Sequence, residues 1–316
     1  MRVRVGYHGR CFDGCTSAVL FTRLYRAIGQ KNAQIEFRAL AHQKGHVPGT
    51  AELDGDENAI LDFKYTTSPA LTWWFDHHQS AFANAEDRAH FDADRSGRKF
   101  YDPACTSCTK LITAVAQEKF GIRWEDLAEL VRWADIIDSA RFESPGVAVE
   151  LLEPALQLMT VIEVSDDAFC TSLIPRLDAG GLAVASAPDV RARFEPIQRE
   201  HLEAVKRVRQ RARCEGEVVH FDLTEWNMDG FNKFIGYYLF PDAAYSVGVT
   251  ASARRAKVSV GSNPWSPHKR RHDISRLCEK YGGGGHPAVG AVTLPGSDVA
   301  EARRVGLEIA RTLRDA

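Results

Sequence analysis

The feature that most constrains the fold is an alternation in the first hundred residues. Short apolar runs alternate with helical patterning and end abruptly in polar side chains. Residues 2–7 alternate as a strand, and residues 17–28 carry Ala18, Leu20, Phe21, Leu24, Tyr25 and Ile28 at helical spacing. Residues 34–40, 58–63 and 71–75 read as further strands. Strands separated by helices imply an α/β fold with a parallel sheet and crossover helices. Such sheets bind ligands beyond the carboxyl ends of their strands. Three of the runs pass directly into polar residues there: Tyr7-His8, Leu61-Asp62 and Phe75-Asp76.

The rest of the chain is patterned differently. Residues 106–120, 124–139, 148–164 and 166–178 have helical periodicity, with a break at 179–182. Residues 189–214 form one long charged pattern, expected to be a solvated helix joining two domains. After Cys214 come strand patterns at 217–222, 244–251 and 256–260 and helical patterns at 231–240, 274–281 and 299–313. The expected organisation is a parallel-sheet domain over 1–185, a helical linker over 186–214 and a smaller α+β domain over 215–316.

Composition narrows the functional classes. Forty Lys and Arg against forty-two Asp and Glu leave a net charge of −2, which excludes a polycation that coats nucleic acid. A local basic run remains, with Arg254, Arg255, Lys257, Lys269, Arg270 and Arg271 and no acid between residues 251 and 272. No run of 18 apolar residues is long enough for a membrane helix, and residues 1–5 lack the apolar core of a signal peptide. With seven cysteines, an odd number, the expectation is a reducing cytoplasm. Cys105 and Cys108 form a lone CxxC without a second pair to complete a zinc site, and are expected to open a helix with Thr106 or Ser107 near its start.

The residues suited to chemistry lie at the strand ends. They are His8 with Asp13 five residues later, Asp62, and the run Asp76-His77-His78; Asp135 and Asp138 lie one turn apart near a helix end. A single strand-end Asp ordinarily caps a turn. Several carboxylates meeting on one sheet edge need cations, because burying that many acids unpaired is costly. Many carboxylates with few imidazoles favour manganese or magnesium, and a shared carboxylate can hold two ions about 3.5–4 Å apart. In the last third, four consecutive glycines precede His286 and exclude a regular element interior. One glycine would suffice for a helix C-cap; four suggest close approach of backbone to an anionic ligand.

These segments resemble the motifs of the DHH phosphoesterase superfamily in order along the chain. Tyr7-His8-Gly9-Arg10-Cys11-Phe12-Asp13-Gly14, Asp62-Phe63-Lys64-Tyr65 and Asp76-His77-His78 resemble successive motifs, and Ala134-Asp135-Ile136-Ile137-Asp138 resembles the fourth, acidic one. Gly282-Gly283-Gly284-Gly285-His286-Pro287 resembles the loop of the associated DHHA1 domain. The resemblance implies that His8 binds one metal, Asp13 the other, and that Asp62 bridges them. It implies that His77 is a ligand, that His78 contacts the scissile phosphate and that Asp76 orients the motif. Asp138 fits the fourth acidic ligand, with Asp135 as competitor. Many relatives carry Asp-x-Asp in the first motif. Here Cys11 stands in the first position, and a thiolate is a poor ligand for magnesium.

The implied activity is hydrolysis of phosphoester bonds in short nucleotides or single-stranded oligonucleotides by metal-activated water. The expected cofactor is a pair of Mn2+ ions, with Mg2+ or Co2+ as substitutes. Arg10 is expected to join His78 in stabilising phosphoryl charge, and Gly283, Gly284, Gly285, His286, Asn263 and Arg271 are expected to bind the distal substrate. Exopolyphosphatase activity and a non-catalytic nucleotide-binding regulator are the alternatives, the second motivated by Cys11. No membrane partner is expected, and the sequence leaves a homodimer open.

Overall fold

A computed structural model describes residues 1–41, 49 and 51–315. The chain forms two compact units, one of residues 1–142 and 152–194, the other of residues 143–151 and 195–316.

The first unit is built on a five-stranded sheet of β1 (Arg2–His8), β2 (Gln34–Leu40), β3 (Glu57–Leu61), β4 (Trp73–Asp76) and β5 (Lys99–Tyr101). Every pairing is parallel, in the order β2-β1-β3-β4-β5. From β1 the chain passes to one side for β2 and returns to the other for β3. Their carboxyl ends therefore flank a topological switch point, where open α/β sheets place ligands. Val3, Val5, Tyr7, Ile60, Leu61, Trp74 and Phe75 are buried, as expected of strands covered on both faces.

Helix α1 (Phe12–Ala27) begins five residues before the apolar stripe that announces it. Its first turn, Phe12-Asp13-Gly14-Cys15, is buried on all sides, so polar residues sit where periodicity would require an exposed face. Gly14 has a steric reason: a Cβ there would lie 2.2 Å from the His8 carbonyl oxygen. Helix α2 (Ala85–Ala93), capped by Asn84, has no fully buried residue and leaves no apolar stripe in the sequence. Helices α3 (Cys108–Phe120) and α4 (Ala128–Asp138) follow, and the Ser107 hydroxyl caps α3 by accepting from the Lys110 amide at 3.1 Å.

The single helix expected over 148–164 is two, α5 (Pro145–Glu150) and α6 (Pro154–Val164). Pro154 excludes Glu153 from the helical region, and Leu151 turns left-handed at φ +53°. Helix α7 (Asp167–Gly180) is capped by Asp166. Helix α8 (Pro188–Arg211) is the long helix expected to be solvated, but Val190, Phe194, Ala204 and Val208 are buried.

The second unit carries a six-stranded sheet of β6 (Arg213–Glu215), β7 (Val218–Asp222), β8 (Tyr245–Ala251), β9 (Arg255–Ser262), β10 (Gly284–His286) and β11 (Val289–Pro295), ordered β10-β11-β9-β8-β7-β6. All pairs are antiparallel except β7 with β8. The short helices α9 (Ile235–Leu239) and α10 (Ile274–Glu279) and the long α11 (Val299–Arg314) complete it. Val247, Val249, Val258 and Val292 pack with Val305, Ile309 and Leu313 in one core, and Val219, Phe221 and Leu223 pack with Ala204, Val208 and Ile235 in another. Strands β5, β6 and β10 are not expected from the sequence; each has three residues, too few for alternation to register.

Candidate metal centre

The site forms where β1, β3 and β4 end and α1 and α4 reach the same edge. Asp62, just past β3, adopts a left-handed conformation at φ +57°, and its amide donates to the Phe75 carbonyl at 2.9 Å. That conformation costs about 1 kcal/mol and persists because the surrounding sheet imposes it. Asp62 is fully buried. Its Oδ2 lies 3.2 Å from His8 Nδ1, and its Oδ1 lies 3.5 Å from His77 Nε2 and 3.7 Å from His78 Nδ1. One carboxylate thus faces a different imidazole with each oxygen.

His77 is oriented from behind. Its Nδ1–H donates to the Cys105 carbonyl at 3.1 Å, which fixes the tautomer and directs Nε2 into the cluster. There Nε2 lies 3.3 Å from Asp138 Oδ2 and 3.9 Å from Asp13 Oδ2. Asp76 holds the whole turn, with its Oδ1 accepting from the His77 amide at 2.8 Å, the His78 amide at 3.2 Å and His78 Nδ1 at 2.7 Å. Asp13, also fully buried, accepts through Oδ2 from the Cys108 amide at 2.7 Å and through Oδ1 from the Thr109 amide at 3.0 Å. Those amides belong to the first turn of α3, whose positive end favours a carboxylate.

Among the described residues, three overlapping groups have ligand atoms within 4.8 Å of one another: His8, Cys11 and Asp62; Asp62, His77 and His78; Asp13, His77 and Asp138. Asp62 Oδ1 and His77 Nε2 are buried and have no hydrogen-bond partner among the described residues. Buried polar atoms are normally satisfied, so these two mark a place for a cation. Oxygen and imidazole donors in this number suit manganese or magnesium, and the residues present fit a divalent centre.

The electrostatics agree with that fit. Burial pushes the Asp13 carboxyl well up, and the charges of Asp62 and Asp138 push it further. Asp138 is raised to about 6, by burial and then by Asp62. Burial also acts against ionisation of Asp62, but the facing imidazoles of His77, His8 and His78 outweigh it and bring the group down to about 2. Burial opposes protonation of His77, yet Asp62, Asp13 and Asp138 together raise it to about 9. Burial, then Asp62 and Asp13, push the Cys11 thiol well up. In the protein alone, protons and imidazolium charge balance these acids.

Not every expected residue reaches the cluster. Asp135 is turned away: its Oδ1 accepts from the hydroxyls of Thr106 and Ser107, and its Oδ2 pairs with Lys110 at 3.2 Å. Arg10 is largely exposed and its Nε donates to Asp167 at 3.4 Å. In the second unit, Asn263 is a buried loop clamp. Its Nδ2 donates to the carbonyls of Pro241 and Ala243, both at 2.9 Å, and its Oδ1 accepts from the Trp265 amide. Arg271 pairs with Glu217 at 2.9 Å.

The glycine run divides by position. Gly282 caps α10 at φ +75°, and a Cβ at Gly283 or Gly285 would lie 2.2 Å from the carbonyl oxygen of Ala291 or Val289. A Cβ at Gly282 or Gly284 would meet open space, but only Gly284 combines that space with a φ outside the left-handed region, and His286 is exposed beside it. Backbone conformation at Gly282 and close carbonyl contacts at Gly283 and Gly285 therefore account for three of the four glycines.

Sequence reasoning missed the segment that anchors the site from behind. Cys105 supplies a carbonyl to His77, and Cys108 and Thr109 supply amides to Asp13. The available signal was a capped helix start, since backbone groups at a helix N-terminus attract carboxylates whatever the side chains.

No family model matches the chain, and no curated protein matches it. Among solved structures it is similar to the pGpG-specific phosphodiesterase PggH of Vibrio cholerae, with a TM-score of 0.70, 20% identity and 98% of each chain covered. The likeness shows a shared fold over nearly the whole chain. A second solved structure, RecJ of Thermus thermophilus in complex with Mn2+, matches with a TM-score of 0.51 and 12% identity over 98% of this chain and 52% of RecJ. No helix among the described residues is long and apolar enough to cross a membrane.

Proposed function

We propose that the chain is a divalent-metal-dependent phosphoesterase acting on short nucleotides or oligonucleotides. The observation that carries this reading is the convergence of Asp13, Asp62, His77 and Asp138 around buried atoms that lack hydrogen-bond partners. The likeness to PggH over 98% of both chains favours a linear dinucleotide as substrate.

Asp13, His77 and Asp138 would hold one ion, His8 the other, and Asp62 would touch both, with one oxygen facing each imidazole. When bound, such ions supply positive charge for phosphoryl oxygens and acidify water. Asp76 locks the turn through three hydrogen bonds, so His77 and His78 enter the reaction already oriented. The Asp76 hydrogen bond and the Asp62 charge outweigh burial and raise His78, which favours its imidazolium form. That form would stabilise charge developing on the phosphoryl group. Gly284 and His286 are the second unit's proposed substrate contacts, because neither is committed to packing.

A hydrolysis panel tests the reading. Purified protein is assayed with Mn2+, Mg2+ or Co2+ on a linear dinucleotide, a cyclic dinucleotide, 3'-phosphoadenosine 5'-phosphate, a short single strand and polyphosphate. Metal-dependent cleavage of the linear dinucleotide is expected to be fastest. Cleavage of polyphosphate alone would make the chain an exopolyphosphatase. Nucleotide binding with no cleavage under any metal would make it a regulator.

A further inference from the structure

We propose that Cys11 is a metal ligand, and that with His8 and Asp62 it makes one half of the centre a site for a borderline ion such as Zn2+ or Co2+ rather than Mg2+. This rests on the metal-centre reading above. The donor atoms of His8, Cys11 and Asp62 all lie within 4.8 Å of one another, a set of nitrogen, sulfur and oxygen. The neighbouring group of Asp13, His77 and Asp138 offers nitrogen and oxygen only. The two halves share Asp62, whose Oδ2 faces His8 and whose Oδ1 faces His77.

The position of Cys11 in the backbone is a second, independent observation. It is the N-cap of α1, with extended φ and ψ of −122° and 134°, and its side chain makes no capping hydrogen bond. Ser, Thr, Asp or Asn would serve a cap better. A cysteine there places sulfur against two other ligand atoms, with the Gly14 amide turned toward it. Thiolate sulfur selects softer divalent ions, whereas Mg2+ prefers oxygen. Ligation requires the thiol to lose its proton, so the ion replaces a proton on sulfur and no oxidant or reductant enters. The centre would then be asymmetric, with a hard half around Asp13 and Asp138 and a softer half around His8 and Cys11.

Cobalt titration of the metal-free full-length chain tests this. Visible ligand-field bands report Co2+ binding of any kind, and a near-ultraviolet charge-transfer band reports a thiolate–cobalt bond. The wild type is expected to develop both. Cys11→Ser and Cys11→Asp are expected to keep the visible bands and lose the near-ultraviolet one, and circular dichroism checks that each variant is folded. The ratio of zinc to manganese affinity is expected to fall on the order of tenfold or more in Cys11→Asp. Visible bands without the near-ultraviolet band in the wild type, or a near-ultraviolet band that persists in both variants, overturn the role of Cys11 and leave the metal centre standing. Absence of every cobalt band removes the metal centre itself, and this proposal with it.

Discussion

The Oδ2 of Asp13 accepts a hydrogen bond from the backbone amide of Cys108 at 2.7 Å, across 95 residues of sequence. Its other oxygen accepts from Thr109, so one buried carboxylate satisfies two amides at the start of a helix. Asp13→Ala leaves both amides buried and unpaired. The metal-free variant is expected to lose on the order of 2 kcal/mol in urea unfolding. Wild-type stability in that variant would contradict the anchoring role.

Asp62 and Asp138 are expected to respond with opposite signs. Folding depresses Asp62 to about 2, so its ionised form contributes stability present above the unfolded value of 3.8 and lost as pH falls through 2. Asp62→Asn should therefore destabilise the metal-free fold by about 2 kcal/mol at pH 7. Folding raises Asp138 to about 6, so its contribution is present below 3.8 and lost as pH rises through 6. Asp138→Asn should stabilise the metal-free fold at pH 7, on the order of 2 kcal/mol. Both variants should lose about a thousandfold in turnover. Thermal melts without metal, run beside single-turnover assays, separate the two effects.

Asp135 provides the contrast one helical turn away. Its oxygens are committed to Thr106, Ser107 and Lys110. Asp135→Asn is expected to cost about 1 kcal/mol of stability and to leave turnover within about threefold of wild type. A loss comparable to that of Asp138→Asn would reverse the assignment of the two acids.

Metal binding should release protons. His77 titrates at about 9 in the protein alone, against an ordinary 6.5; its stabilising charge is complete below 6.5 and lost as pH rises through 9. An ion taking its Nε2 at pH 7 displaces that proton. Affinity for Mn2+ is expected to climb between pH 6 and 9 and to fall below about 6, where Asp138 protonates. Calorimetry in buffers of differing ionisation enthalpy counts the protons released. A heat independent of buffer would exclude this exchange.

The glycine run gives a separable test in the second unit. A Cβ at Gly283 or Gly285 meets a carbonyl oxygen at 2.2 Å, whereas Gly284 faces open space. Gly283→Ala and Gly285→Ala are expected to lower the melting temperature by several degrees, through clashes worth about 2 kcal/mol or more. Gly284→Ala should melt like wild type and raise KM. An unchanged KM would remove Gly284 from substrate contact.

The sequence reveals features governed by local rules. Strand runs ending in His8, Asp62 and Asp76 are legible because a parallel sheet buries continuous apolar segments and exposes its carboxyl ends. The order of the motifs likewise identified which acids and imidazoles to watch. Local rules could not separate Asp135 from Asp138. Both lie near the end of one helix, and Asp135 is held away from the cluster by Thr106, Ser107 and Lys110, brought in from another element. Nor could they find the first turn of α1, which has no exposed face to create a period.

By itself, then, the sequence determined four strands of the first sheet and their polar ends, because those follow from the spacing of apolar residues along the chain. Only the tertiary structure decided which oxygen of Asp62 faces His8 and which faces His77, that α3 amides anchor Asp13, and that Asn263 clamps a loop. Those relations join residues far apart in sequence. Packing and hydrogen-bond direction fix them, and neither leaves a periodic trace in the sequence.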